Sequence, residues 1–182
     1  MALEIVKYPD PVLRRPALAV EQLDDRIRRL ADGMVEALVL ARGYGLAAPQ
    51  VGVSLRLIIV DIDDELRLLV NPELLEAGRE RVLGTEGCLS IPGVEAEVER
   101  ALRVSVRALD LYSGKEVQIE AEELLARVLQ HELDHLNGVL FIDHLGEARR
   151  QLLLKEYRRK LREEEKERSS NHLQRERVAV GL

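Results

Sequence analysis

The chain has 182 residues, 46% hydrophobic and 33% charged, which is enough for one hydrophobic core and far from the core-poor composition of disordered chains. Aromatic residues make up 3% and tryptophan is absent, which argues against stacking on single-stranded nucleic acid, and no DNA partner is expected. The net charge of -6 is unevenly placed, with 26 acidic and 16 basic residues in 1–146 against 7 and 11 in 147–182. The expectation is a main domain over 1–146 and a basic helix and tail over 147–182, packed on or extending from it.

No apolar run approaches the roughly 20 residues that cross a bilayer, and residues 1–7 lack the basic-then-apolar order of a secretory signal. A cytoplasmic location and no membrane partner are therefore expected. The single cysteine, Cys88, cannot form an internal disulfide, in keeping with a reducing compartment.

Along the chain, a Tyr8-Pro9-Asp10-Pro11 turn signal is followed by Leu23, Ile27, Leu30, Met34 and Leu38 at steps of three and four, which predicts a helix over about 23–41. Residues 43–50, Gly-Tyr-Gly-Leu-Ala-Ala-Pro-Gln, read as a loop, because Pro49 and two glycines disfavour helix continuation. The period then shortens, predicting strands at 57–60, 66–70, 94–98, 102–111 and 117–119. Tyr112-Ser113-Gly114-Lys115 reads as a hairpin turn, so antiparallel pairing is expected rather than a Rossmann-type parallel sheet. Leu124, Leu125, Val128, Leu129, Leu133 and Leu136 predict a buried helix over about 122–137, stopped by Asn137-Gly138. A third helical pattern begins near Glu147 with Leu153, Leu154, Tyr157 and Leu161, and loses its apolar face by Arg162. From Ser169 onward no stripe remains, and fraying is expected. The fold class that results is α+β, with antiparallel sheets around a central helix and a C-terminal surface helix.

That central helix carries His131-Glu132-Leu133-Asp134-His135. Residues four apart share a helix face about 5–6 Å apart, so both imidazoles can reach one metal ion while Glu132 lies beside the ion's open side. Two histidines leave a catalytic site one ligand short. A metzincin-like continuation meets Gly138 but places Phe141 where its third histidine belongs. Glu156, on the last helical segment, stays open as a thermolysin-like ligand. Cys88 is the stronger candidate, because the glycine- and proline-bounded stretch 84–92 follows a strand and a turn there can present a thiolate.

Three segments, Gly43-Tyr44-Gly45-Leu46-Ala47-Ala48-Pro49-Gln50, Glu86-Gly87-Cys88-Leu89-Ser90 and Gln130-His131-Glu132-Leu133-Asp134-His135, resemble the three motifs of the peptide deformylase family. The likeness extends over about residues 5–145. It implies a metal-dependent amidase that removes the formyl group from formylmethionine at the start of newly made polypeptides. It implies Cys88, His131 and His135 as metal ligands and Glu132 as general base, with the Gln50 amide and the Leu89 N–H as donors to the oxyanion. Tyr44, Leu124 and Val128 would wall the methionine pocket, and Gly45 and Gly87 would let the peptide approach the backbone. Iron(II) is the implied cellular metal, with zinc, nickel or cobalt fitting the same donors in a purified sample. Nascent formylmethionyl chains are the implied partners, and ribosome contact through the C-terminal helix is a further expectation. Two positions depart from the family pattern: Tyr44 stands where an aliphatic residue is usual, and Glu95 stands where many bacterial members carry an arginine. A zinc endopeptidase and a non-enzymatic metal module are the competing readings.

Overall fold

The computed structural model describes residues 3–179, and side chains of residues 3–167. Helix α1 (Asp25–Ala41) opens on Asp24, whose carboxylate accepts from the backbone N–H of Arg26 and Ile27, and closes at Arg42 in the left-handed conformation. Seven strands follow: β1 (Gly45–Ala47), β2 (Leu57–Ile62), β3 (Glu65–Ala77), β4 (Arg81–Cys88), β5 (Ile91–Ala101), β6 (Arg103–Asp110) and β7 (Glu116–Glu122). Helices α2 (Glu123–Leu136) and α3 (Glu147–Ala179) complete the order.

The strands divide into two antiparallel sheets, a five-stranded one ordered β1-β2-β3-β6-β7 and a two-stranded one of β4 and β5. The five-stranded sheet is covered on both faces. Ile58, Val60 and Leu69 pack with Leu129 and Leu133 of α2, while Leu57, Ile59, Leu68 and Val70 pack with Ile27, Met34 and Leu38 of α1. This sandwiching explains why β2 reads as an unbroken apolar run: every side chain along Leu57–Val60 is fully buried, whichever face it points to. The β4–β5 hairpin forms a third cluster with Leu13, Phe141, Leu153 and Tyr157, so the first half of α3 closes the core over the Cys88 hairpin.

The expected helices are present with their starts within about two residues, and the β6–β7 hairpin is present with β7 running three residues beyond the expected end. Three expectations are corrected. The supposed loop 43–50 contains β1, paired in register with β2 (Gly45↔Val60), and a 3-10 turn, Ala48–Val51, in which Pro49 is tolerated near the start. Strand β4 escaped detection because Arg-Val-Leu-Gly-Thr-Glu-Gly-Cys contains two glycines and no apolar run. The stretch from Ser169, expected to fray, is helical as far as Ala179. Its Glu, Arg, Leu and Gln content favours helix by propensity.

Candidate active site

Each part of the site is aimed by a different element. Just past α2, Gly138 adopts φ 73° and ends the helix; a Cβ there would lie 2.5 Å from the Arg14 carbonyl, so only glycine fits. The preceding two turns bury His131, Glu132 and His135. Cys88 is the last residue of β4, where the register with β5 shifts between Gly87 and Cys88. That irregularity turns the sulfur toward α2.

The three predicted ligand residues come together. Cys88 Sγ lies 3.2 Å from His135 Nε2, and the latter lies 3.2 Å from His131 Nε2. Among the described residues, these three form the His, Cys, Asp and Glu group whose donor atoms all fall within 4.8 Å of one another. Tetrahedral ligation with bonds of about 2.0–2.3 Å spaces such atoms about 3.4–3.6 Å apart, so the cluster has the dimensions of a shared ion site. His131 Nδ1 lies 3.0 Å from Glu86 Oε2; donating its N–H there leaves the Nε2 lone pair facing the sulfur. Burial penalises the Cys88 thiolate, but the facing imidazoles outweigh it and hold the thiol well below its ordinary pKa.

Glu132 is 3% exposed and its Oε2 has no hydrogen-bond partner within the protein, as is also true of His135 Nδ1. Burial pushes the Glu132 carboxyl up to about 7. A buried carboxyl with a bare oxygen beside three converging soft and borderline donors is the arrangement a hydrated divalent cation would satisfy.

Gln50, 2% exposed, accepts from Ala47 N–H through Oε1 at 2.8 Å and directs Nε2 toward Cys88 Sγ and Ser90 Oγ at 3.5 and 3.4 Å. It therefore anchors its own loop and also faces the cluster. The N-terminal segment braces both flanks, since Val6 N–H donates to the Gln50 carbonyl, Lys7 Nζ to the Leu89 carbonyl and Tyr8 N–H to the Ser90 carbonyl.

A cleft of about 820 Å³ opens over the cluster, and Tyr44, Gly45, Gly87, Leu89, Leu124 and Val128 all line it. Val128 is buried, whereas Tyr44 and Leu124 are 59% and 45% exposed and stand at the rim. Gly45 is pressed against the carboxyl: a Cβ there would lie 2.5 Å from Glu132 Oε1. Glu95, opposite Gly87 in the hairpin, also faces the cleft. Glu156 stays outside the ligand group, paired with Lys160 at 3.0 Å. Phe141 stacks on the His131 ring at 6.3 Å between centroids, packing where a metzincin would ligate.

Sequence reading missed the charged layer behind the ligands. Glu86 receives both Arg100 and Arg127, and Arg100 also reaches Asp134, which in turn meets His144. Two signals were available. Glu86 sits two residues before Cys88 on a strand and so shares its buried face, and Arg127 sits four residues before His131 on a helix.

A helix-borne His-Glu-x-x-His pair completed by a thiolate, under a cleft and within an α+β fold, defines a class of metal-dependent hydrolase distinct from the three-histidine and two-histidine-glutamate kinds. The comparisons narrow the class. A family model described as polypeptide deformylase matches residues 2–151. A peptide deformylase from Thermodesulfovibrio yellowstonii is 46% identical over 163 residues, covering 87% of this chain and 98% of that protein. The crystal structure of a peptide deformylase from Legionella pneumophila superposes with a TM-score of 0.86 at 41% identity, covering 90% of this chain and 98% of the other. A Met-Ala-Ser-bound class I type b peptide deformylase from Acinetobacter baumannii matches at 37% identity and a TM-score of 0.77, covering 80% and 99%. The chain belongs to the peptide deformylase family, and it is an enzyme. The family is metal-dependent, and the endopeptidase and non-enzymatic readings are set aside.

Proposed function

We propose that this chain hydrolyses the formyl amide of N-formylmethionyl polypeptides, with Cys88, His131 and His135 holding one divalent ion. The observation that carries this reading is the convergence of one sulfur and two Nε2 atoms beside the buried Glu132 carboxyl with its unpartnered Oε2. The ion, when bound, lowers the pKa of a water and polarises the formyl oxygen. Glu132 takes the proton from the attacking water and delivers it to the leaving amine, a role suited to a buried carboxyl whose proton affinity is near neutral. The Gln50 amide N–H and the Leu89 backbone N–H donate to the oxygen that gains charge; such a donor is worth about 3 kcal/mol in the transition state. Glutamine suits this place because it donates without a positive charge that would repel the ion.

Val128 and the stems of Tyr44 and Leu124 receive the methionine side chain, and Gly45 and Gly87 admit an extended backbone. The donor set suits iron(II), zinc, nickel or cobalt, and iron(II) is the proposed cellular ion. The C-terminal helix is proposed as part of the same folding unit and as a weak ribosome contact, in a cytoplasmic setting. No helix among the described residues is long and apolar enough to cross a membrane. The test is anaerobic metal analysis together with formate release from a formylmethionyl peptide. The parent is expected to hold one ion and release formate, and Cys88→Ala to lose both. A Cys88→Ala variant with parental metal content and turnover would overturn the reading.

A further inference from the structure

Arg127, His131 and His135 recur at steps of four and so share one face of α2. The Cys88 hairpin, by contrast, is a sheet of its own: β4 pairs with β5, and the ladder of the larger sheet does not include it. The distance from sulfur to imidazoles therefore depends on side chains that dock the hairpin against α2. Apart from the ties made by His131 to Glu86 and by His135 to Cys88, the polar bonds that do so among the described residues run from Gln130 to Ala101, from Arg100 to Asp134, and from Arg127. Of these, Arg127 alone bonds the backbone of β4. Its Nη2 donates to the Val82 carbonyl at 2.9 Å, and its Nη1 donates to Gly84, to Val98 across the hairpin at 2.9 Å, and to Glu86 Oε1 at 2.8 Å.

Position 84 is shaped for this side chain, since a Cβ there would sit 2.7–2.9 Å from the guanidinium. Arg127 also governs how Glu86 is turned. Glu86 Oε1 receives Arg100 Nε and Arg127 Nη1, which leaves Oε2, shared with Arg100 Nη2, to meet His131 Nδ1.

We propose that Arg127 is a positioning residue for the metal centre: by bridging α2 to both strands of the Cys88 hairpin and pinning Glu86, it sets the spacing between the thiolate and the two imidazoles. The proposal rests on the ligand assignment above. Arg127→Met keeps the apolar stem and removes the guanidinium. Gly84→Ala keeps Arg127 and displaces its head, giving a second route should the first variant fold poorly.

Purified holoenzyme loaded with cobalt(II) or zinc is followed by release to a chelator, by the thiolate-to-cobalt absorption, and by kcat and KM separately. Arg127→Met is expected to release the ion about 10–100-fold faster, as loss of such outer contacts does, with an altered cobalt spectrum and a kcat loss at a KM within about twofold of the parent. Gly84→Ala should move release and spectrum in the same direction, and Arg127→Lys, which restores one donor toward Glu86, should recover part of the loss. Parental release and spectrum in Arg127→Met, even with a lowered melting temperature, would overturn the proposal, as would an effect confined to KM. Failure of the ligand assignment reads differently: the parent itself would then bind no stoichiometric cobalt.

Discussion

Glu132 is buried, with one carboxylate oxygen left without a hydrogen-bond partner in the protein. Its Oε1 lies against Gly45, and Oε2 bonds nothing in the protein. A group so placed acts on something that enters the cleft. Glu132→Gln, nearly the same in shape, is expected to lower kcat by about 10²–10⁴ while metal content measured by mass spectrometry stays at the parental level. Gly45→Ala should be harmful for a different reason. Its methyl would drive the carboxyl aside by the order of an ångström, a displacement that costs about 10²-fold in rate. Formate release should fall accordingly without loss of bound metal.

Among the elements, α3 is attached by more than surface contact. Tyr157, 1% exposed, donates its hydroxyl to the Tyr8 carbonyl at 2.9 Å, in the segment that braces Leu89 and Ser90. Tyr157→Phe removes one hydrogen bond and keeps the ring, so a loss of about 1 kcal/mol in denaturant unfolding is expected. The 3-10 turn Phe141–His144 is tied in by Asp143, which accepts from Leu140 N–H and from Arg14. Burial pushes the Asp143 carboxyl upward, but Arg14 and the Leu140 N–H outweigh it and hold its pKa below the ordinary value. A carboxyl depressed on folding stabilises the protein above its unfolded pKa, about 3.9, and that contribution disappears as pH falls through the lower folded value. The melting-temperature deficit of Asp143→Asn relative to the parent should therefore be full at neutral pH and shrink in acid.

For the molecule as a whole, charge placement bears on what it meets. Glu95 faces the cleft beside Gly87. A peptide panel should show weaker preference for acidic residues after the methionine than an arginine-bearing relative shows; equal or stronger preference would refute this. Along α3 the cations are paired with acids, Arg159 with Glu163 and Lys160 with Glu156 within the helix and Arg149 with Glu97 of β5. Paired cations release few counterions, so ribosome co-sedimentation through this helix should be weak and vanish with modest salt. Binding that resists salt would overturn this charge argument, and none at low salt would dispose of the ribosome contact.

Some of this was readable before any folding. The steps of three and four along α1 and α2, and the His131–Glu132–His135 spacing, declare themselves because a helix places i and i+4 side by side whatever surrounds it. The Tyr-Ser-Gly-Lys turn between β6 and β7 is local in the same way. Strand β4 was hidden, because Gly84 lies against a guanidinium and Gly87 lines the cleft rather than the core, so no apolar pattern marks it. The partnership of Cys88 with histidines 43 and 47 positions later, the layering of Arg100 and Arg127 onto Glu86, and the bracing of Leu89 by the N-terminal segment belong to the folded chain alone. Contacts between residues far apart in sequence leave no periodic trace, and only the docking of a separate hairpin onto α2 brings that sulfur within 3.2 Å of an imidazole.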